Sequence, residues 1–269
     1  AHPRPLTRAD ESEGEGMSQR AHEPLPDAVL VDWLAIATDR RMGALLEAFR
    51  RGWGVEKVHE ITRITRWFLY GFERLAQMER SIADRGVSPT ELTEEELRLW
   101  KSHGFSDAHI ADALAGFPAE GLKSLAPGQD ERAVMQRRHQ LKLHPVYRMV
   151  DSCAAEFAAK TPYYYSTYEP HGSSGIDRLP NMEERTKERL VAIGSGPIRI
   201  GQGIEFDYGC VHAVKAIRDA GKDAILINNN PETVSTDFDT SDRLYFDPLT
   251  LEYVSEILLR EQAHGILLQ

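Results

Sequence analysis

A glycine-rich loop between two short apolar runs constrains the fold more than any other stretch of the chain. The runs are residues 190–193 and 224–227, and each has the length of a buried strand. Gly221, just before the second run, is a natural helix stop. Apolar residues between the runs recur at steps of three and four, which predicts a helix. They are Ile204, Tyr208, Val211, Val214 and Ile217. Strand, loop, helix and strand form a βαβ unit, so the sequence predicts an α/β domain with a parallel sheet.

The spacing of the glycines differs from the dinucleotide-binding fingerprint. That fingerprint is G-x-G-x-x-G, and its second strand ends in Asp or Glu. Here Gly201 comes too late to be the third glycine, and asparagines follow the second strand. Glu205 and Asp207 in the first helical turn would also repel a pyrophosphate bound to those amides. A nucleotide-binding oxidoreductase is therefore disfavoured.

The charge and the cysteine content argue against several broad classes. The formal net charge is −10, which opposes non-specific binding to nucleic acid or to an anionic membrane. No apolar run approaches the roughly 18 residues that a membrane-spanning helix needs. Cys153 and Cys210 favour reduced thiols over a disulfide framework, so we expect a cytoplasmic protein.

Residues 28–150 predict a domain made of helices, because apolar residues recur at helical spacing between glycine stops. We expect Trp67 and Phe68 to lie in its core and Ser106 to cap a helix. The histidines of this region show no metal-ligand spacing. A helix-turn-helix for DNA, followed by a basic segment, is an alternative that the acidic balance opposes. The basic residues are Arg132, Arg137, Arg138, Lys142 and Arg148.

The remaining segments suggest where the domains divide. Residues 1–27 are rich in charge, proline and glycine, which is typical of a disordered linker or an expression remnant. A tyrosine-rich extended run at 163–168 should pack one domain on its neighbour, and a base-stacking surface is the alternative. Residues 169–187 should link the two domains. We expect a third strand at 243–246, a helix capped by Thr250, and a strand at 265–268 that belongs to an unfinished sheet.

Several long motifs resemble one known family, the carbamoyl phosphate synthetase large chains. The opening of the second synthetase half of that family is similar to GSGPIRIGQGIEFDY and NNNPETVSTDFDTSDRLYF. Its oligomerisation domain is similar to HGFSDAHIADALAG and LHPVYRMVDSCAAEFAAKTPYYYSTYE. The resemblance implies an all-α helical oligomerisation domain at 28–168. An α/β Rossmann-like parallel-sheet domain, which precedes an ATP-grasp fold in the family, is implied at 188–269 and is truncated at its C-terminus.

The same resemblance implies an activity for a longer parent polypeptide. Such an enzyme is an ATP-dependent carbon–nitrogen ligase that makes carbamoyl phosphate from bicarbonate, glutamine-derived ammonia and two ATP, for pyrimidine and arginine biosynthesis. ATP and Mg²⁺ (or Mn²⁺) would bind outside this stretch, and the fragment alone should be inactive. The implied partners are a glutamine amidotransferase small chain or domain, the remaining large-chain domains, and further copies bound through the helical domain.

The resemblance also assigns candidate site residues, none of them catalytic and none a metal ligand. The expected wall of a carbamate passage comprises Arg199, Gly203, Glu205 and Glu232. The residues expected to shape the crevice at the strand ends are Gly194, Gly196, Gly201, Gln202, Asn228, Asn230 and Pro231. The sequence alone favours a simpler interpretation, in which Glu205 is a carboxylate at a helix start and Glu232 is a turn residue, and the resemblance reverses this preference. The alternative function is a free-standing, self-associating interaction module without catalysis.

Overall fold

The structure, a computed structural model, forms two compact units. It describes residues 25–115, 129–154, 156, 161–169, 186–197 and 205–268. The first unit contains the described residues up to Thr93 and those of His103–Arg137. The second unit contains Glu94–Ser102 and the described residues from Arg138 onward. Among the helices described, none is long and apolar enough to span a bilayer.

The first unit is helical, as the sequence predicts. The helices in chain order are α1 (Asp27–Ala35), α2 (Arg41–Arg50), α3 (Val55–Thr62), α4 (Arg66–Ala83), α5 (Glu94–Ser102), α6 (Asp107–Leu114) and α7 (Gln129–Gln140). Of these, α5 belongs to the second unit and α7 crosses from the first unit to the second. The core contains Leu30, Leu34, Leu45, Phe49, Val58 and Leu69. Ser106 caps α6, since its side chain accepts a hydrogen bond from His109 N at 3.1 Å.

The expectation that Trp67 and Phe68 lie in the core is wrong. They are 75% and 55% exposed, and their rings pack edge to face with centroids 4.9 Å apart. The buried stripe of α4 instead runs through Leu69, Ala76 and Ile82. A helix advances by about 100° per residue, so a prediction that starts one or two positions early selects the neighbouring face. The aromatic pair is therefore a surface feature of the helical unit.

The second unit is built on a six-stranded mixed sheet. Its elements are β1 (Val146–Met149), β2 (Tyr163–Thr167), β3 (Arg189–Ile193), α8 (Glu205–Asp219), β4 (Asp223–Ile227), β5 (Arg243–Tyr245), α9 (Leu251–Glu261) and β6 (Gly265–Leu268). The strand order is β1-β2-β5-β4-β3-β6. The β1–β2 pair is antiparallel, and the other neighbouring strands are parallel. The predicted βαβ unit, third strand and last strand are all present.

Alternate residues of the central strands face two different helices. Ile225 and Ile227 pack on the face that carries Ile257 of α9. Leu226, between them, packs with Val214 of α8 on the other face. A strand buried on both faces by helices reads as a continuous apolar run, which is what residues 224–227 show. The sheet is therefore covered on both sides where β3 and β4 run.

Two strands lie inside the range expected to be helical. Tyr163 and Tyr164 of β2 pair with Leu244 and Tyr245 of β5, and β1 continues the sheet beyond β2. Tyr147 packs its ring edge-on against Tyr245, with centroids 5.2 Å apart. Aromatic residues favour strands when they can pack across a sheet, so the tyrosine-rich run is extended as predicted, but it belongs to the sheet and not to the helical domain. The tyrosine-rich run is thus part of the sheet, and the boundary at 169–187 stays a prediction.

The buried face of α8 also differs from the predicted stripe. Val214 and Ile217 are buried as predicted, but Tyr208 is exposed and Cys210 is buried in its place. The helix stops at Gly221 as expected, where φ is +73°. Thr250 occupies the N-cap position of α9, but its side chain makes no capping hydrogen bond. The periodicity therefore located these helices correctly and misplaced part of one face.

Candidate functional site

The candidate site lies at the carboxyl ends of β3 and β4, where the glycine-rich loop and the asparagine block leave the sheet. Gly194 N donates to Ile227 O at 2.8 Å, so the two strand ends remain paired to their last residues. Asn228 N then donates to Tyr245 O at 3.0 Å, which extends the pairing toward β5. Ligands of open α/β sheets bind outside the carboxyl ends of the strands. The described members of the predicted crevice set therefore lie at or directly after these strand ends.

Asn228 is the polar centre of this edge. It is buried, and its Oδ1 accepts hydrogen bonds from Gly196 N at 3.1 Å and from Asn229 N at 2.9 Å. One side-chain carbonyl therefore fixes the loop after β3 and the loop after β4 at the same point. A buried side-chain amide stabilises the fold only when its hydrogen bonds are formed. The Asn228 side chain therefore favours the loop conformations in which both backbone amides can reach it.

The two nearest glycines are explained by this packing. A Cβ on Gly194 would lie 2.5 Å from Asn228 Cγ, which is far inside van der Waals contact. Gly196 has φ +74°, a left-handed conformation that glycine adopts without strain. The structure therefore brings Gly194, Gly196 and Asn228 together. Close packing on Asn228 accounts for Gly194, and the left-handed backbone accounts for Gly196.

The loop after β4 carries the remaining predicted residues that the structure describes. Asn230 Oδ1 accepts a hydrogen bond from Glu232 N at 3.0 Å, and Thr236 Oγ1 donates to Asn230 O at 3.1 Å. These local bonds hold the turn in one conformation. Pro231 and Glu232 are exposed at its tip. The carboxylate of Glu232 is thus presented to solvent by an ordered turn.

The other predicted residues cannot all be placed. Arg199, Gly201, Gln202 and Gly203 lie outside the described residues. Glu205 is the first residue of α8, and its side chain also lies outside the description. The roles assigned to the passage and crevice residues therefore remain predictions.

Sequence reasoning missed the role of Asp207. Its side chain is buried, and Oδ2 accepts a hydrogen bond from Ser235 N at 2.8 Å. The carboxylate ties the start of α8 to the 3₁₀ turn Val234–Thr236 after β4. The sequence offered only a weak signal, an aspartate in a first helical turn, which we interpreted as a charge that would repel phosphate.

Two further buried groups near this edge have shifted pKa values. Burial raises the pKa of the Cys210 thiol to about 11, and the nearby charge of Asp207 acts in the same direction. Burial also raises the pKa of Asp247, although Ser166 donates to that carboxylate from its backbone N and from Oγ, the latter at 2.5 Å. Cys210 is therefore a protonated thiol at neutral pH, which excludes it as a thiolate nucleophile.

The basic segment considered for DNA binding is engaged inside each unit. Arg137 Nε donates to Leu92 O at 2.8 Å within the first unit. In the second unit, Arg138 Nη1 donates to Glu256 Oε1 at 2.6 Å, and Arg148 Nε donates to Glu169 Oε1 at 2.8 Å. Cations that satisfy internal acceptors are poorly placed to bind phosphates. Three of the five basic side chains that the helix-turn-helix alternative requires are therefore poorly placed to contact DNA.

A separate open pocket of about 150 Å³ lies in the helical unit. It is lined by Leu46, Leu75, Glu79, His103, Gly104, Phe105 and His109. Glu79 Oε1 contacts His109 Nε2 at 2.8 Å, and the same carboxylate accepts two hydrogen bonds from Arg50 at 2.6 Å. A buried carboxylate that pairs with a guanidinium and an imidazole is the arrangement expected of a structural ion pair.

Comparison with known proteins identifies both parts of the chain. The model of the carbamoyl-phosphate synthetase large chain oligomerisation domain matches residues 6–142. The model of the carbamoyl phosphate synthase preATP-grasp domain matches residues 186–269. These are the two domains that the quoted motifs suggested.

Whole-chain relatives agree with the domain matches. A carbamoyl phosphate synthase large chain from Myxococcus xanthus is 44% identical over 90% of this chain and 20% of the relative. Its counterpart from Xanthomonas campestris is 48% identical over 83% of this chain and 18% of the relative. An arginine-specific large chain from Halalkalibacterium halodurans is 46% identical over 88% of this chain and 21% of the relative. The chain spans about a fifth of the length of these curated relatives, and it belongs to the carbamoyl phosphate synthase large chain family.

Proposed function

We propose that this chain is part of a cytoplasmic ligase that makes carbamoyl phosphate from bicarbonate, glutamine-derived ammonia and two ATP, for pyrimidine and arginine biosynthesis. The observation that carries the proposal is the consecutive match of an oligomerisation domain and a preATP-grasp domain over most of the chain. The name of the Halalkalibacterium relative supports a role in arginine biosynthesis. ATP and Mg²⁺ or Mn²⁺ would bind to ATP-grasp domains outside this stretch, where metal and cations stabilise the transferring phosphoryl group.

In this proposal, the α/β unit is Rossmann-like and lines part of a closed carbamate passage. Carbamate decomposes in water, so a path that excludes solvent preserves it between two active sites. The framework of Gly194, Gly196 and Asn228 supports this role because it fixes two loops at the strand ends. Glu232 sits on an ordered turn beside that framework, where a carboxylate can accept hydrogen bonds from the carbamate nitrogen.

The decisive experiment compares this chain with a full-length polypeptide that contains it. Each is assayed for carbamoyl phosphate formation from ammonia, bicarbonate and ATP, so that no glutaminase partner is needed. Product from the longer polypeptide and none from this chain is the expected result. No product from either would contradict the ligase assignment and favour the self-associating module.

Glu232→Gln in the full-length polypeptide tests the passage. We expect less carbamoyl phosphate per ATP hydrolysed, because carbamate that is poorly held escapes and decomposes. Glu95→Gln, at an exposed glutamate of α5, is the matched control and should leave this ratio unchanged. If both variants form the same amount of carbamoyl phosphate per ATP hydrolysed, Glu232 does not line the passage.

We further propose that the helical unit associates with other copies through the aromatic surface of α4. Trp67, Phe68 and Tyr70 are all exposed on this helix. Aromatic residues are enriched at interfaces, and Trp and Tyr are frequent hot spots. The match of residues 6–142 to an oligomerisation domain supports self-association. The remaining large-chain domains and a glutaminase partner are proposed from the same family relationship.

Sedimentation of Trp67→Ser tests this surface directly. The variant should fold normally, because the side chain is exposed, and should dissociate at concentrations at least about tenfold higher than the parent. Leu259→Ser, an exposed apolar residue of α9 in the other unit, is the control and should sediment like the parent. Unchanged association of Trp67→Ser would refute this use of the surface.

A further inference from the structure

Two histidines and a glutamate that are not among the strand-end site residues converge in the second unit. His139 lies at the end of α7, His144 lies just before β1, and Glu256 projects from α9. His139 Nε2 is 2.6 Å from Glu256 Oε1, and His144 Nδ1 is 3.0 Å from Glu256 Oε2. The donor atoms of all three residues lie within 4.8 Å of one another. Nothing in the proposed carbamate passage uses this cluster.

We propose that His139, His144 and Glu256 form a binding site for a divalent transition-metal ion of the zinc class. Two imidazole nitrogens and one carboxylate oxygen are donors that Zn²⁺ accepts, and three protein ligands leave a position for water. Ligand bonds to Zn²⁺ measure roughly 2.0–2.2 Å, so an ion fits among the three donors after small side-chain rotations. The direct imidazole–carboxylate contacts would then be replaced by bonds to the ion.

The surroundings of Glu256 suit a ligand carboxylate. Arg138 is fully buried, and its Nη1 donates to Glu256 Oε1 at 2.6 Å and to Leu143 O at 3.1 Å. Hydrogen bonds from outside the ligand set commonly orient metal-binding carboxylates. With Oε1 directed at Arg138, Oε2 is the oxygen better placed to bind an ion. The positive charge of Arg138 lowers the affinity for a cation, and the negative charge of Glu256 offsets it.

The site is also accessible from solvent. The side chains of His139 and His144 are 30% and 48% exposed, which leaves a path for the ion and its water.

The local sequence does not identify this site by itself. His139 and His144 have an H-x4-H spacing that also occurs among zinc ligands, but the third ligand, Glu256, follows more than a hundred residues later. Only the fold brings α9 next to the end of α7 within the second unit. A bound ion would therefore cross-link two segments that are distant in the chain.

The test is a titration of the purified chain with Zn²⁺ by calorimetry and with Co²⁺ by visible absorption. The variants are His139→Gln and His144→Gln, since both histidines are partly exposed and their loss should be tolerated. His109→Gln is the matched control, because it removes a histidine that contacts a buried glutamate, Glu79 at 2.8 Å, in the other unit. We expect one ion per parent chain and at least about tenfold weaker binding in each cluster variant.

Thermal unfolding provides the second readout, because a ligand that binds the folded state raises Tm. Zn²⁺ should raise the Tm of the parent chain and of His109→Gln, and should leave His139→Gln and His144→Gln almost unshifted. Circular dichroism without metal establishes that each variant is folded. Equal affinity in the parent and the cluster variants, or no binding by the parent, would overturn the proposal. Glu256→Gln is avoided because it leaves Arg138 buried without its anion.

Discussion

Replacing Glu79 with glutamine should destabilise the helical unit far more than the same exchange at Glu47. Both glutamates contact Arg50, which makes them a matched pair. Glu79 is 2% exposed and receives two hydrogen bonds from that guanidinium at 2.6 Å, together with a contact from His109 at 2.8 Å. Glu47 lies 3.8 Å from Arg50 and is accessible to solvent. Surface ion pairs contribute little, whereas breaking a buried one leaves a charge without compensation.

The size of the effect follows from the pKa of Glu79. Burial raises this pKa, but hydrogen bonds from His109 and Arg50 and the charge of Arg50 lower it by more, from 4.5 to about 2. A carboxylate whose pKa is lower in the folded state stabilises the fold above its unfolded pKa, and this stabilisation is lost as pH falls through the folded pKa. The depression corresponds to roughly 3 kcal/mol at neutral pH, an upper bound because Arg50 and His109 are partly exposed.

The assay is urea unfolding of the parent, Glu79→Gln and Glu47→Gln at a series of pH values, followed by circular dichroism. The free energy of unfolding of the parent should exceed that of Glu79→Gln by about 2–3 kcal/mol at pH 7. This difference should shrink as pH falls from about 4.5 toward 2, the interval between the two pKa values. Glu47→Gln should differ from the parent by less than about 1 kcal/mol. The reasoning is refuted by a Glu79→Gln difference that stays constant through that interval, or by equal losses in the two variants.

Two further substitutions test the second unit, each measured by denaturant unfolding. Gly194→Ala should cost about 1–3 kcal/mol because its Cβ would collide with Asn228, whereas Gly43→Ala, with nothing within 4 Å of its Cβ, should be neutral or slightly stabilising. A neutral Gly194→Ala would contradict the packing assigned to the loop. Lys101→Met breaks the buried ion pair with Glu252 and should cost about 3–5 kcal/mol, while adding Glu252→Leu should recover much of that loss. No recovery in the double variant would show that the loss does not come from the unpaired charge.

The sequence predicted the parts of this fold that depend on local pattern. The apolar run 224–227 lies in a strand buried on both faces, and Gly221 ends α8 in a left-handed conformation. Ser106 is a helix cap because its hydroxyl satisfies a backbone amide that has no partner within the helix. Each of these signals depends on a few neighbouring residues, so it can be read from the sequence without knowing how distant segments pack.

The failures involve contacts between distant segments. The local sequence does not indicate that β2 pairs with β5, some 80 residues away. The tyrosine-rich run is therefore predicted to belong to the helical domain. The exposed faces of α4 and α8 were misjudged because a stripe of three or four apolar residues defines a helix phase only loosely. Trp67 and Tyr208 are the residues misplaced by that error.

The candidate site was predictable in part for the same reason. The motif located Gly194, Gly196 and Asn228 at neighbouring strand ends, but not the hydrogen bond from Gly196 to the Asn228 side chain. Asp207 was missed because its partner, Ser235 N, is a backbone group of a turn whose position depends on the whole βαβ unit. The His139–His144–Glu256 cluster was missed because it requires α9 and the end of α7 to meet.

Because of α5, no single cut in the chain separates the two units. This helix is encoded between helices of the first unit, yet its Trp100 and Lys101 are buried and it belongs to the α/β unit through the Lys101–Glu252 pair. A cut at Arg138 would remove α5 and leave the Glu252 carboxylate buried without its cation. Gene fusion or recombination at that point would therefore transfer an α/β unit that lacks α5.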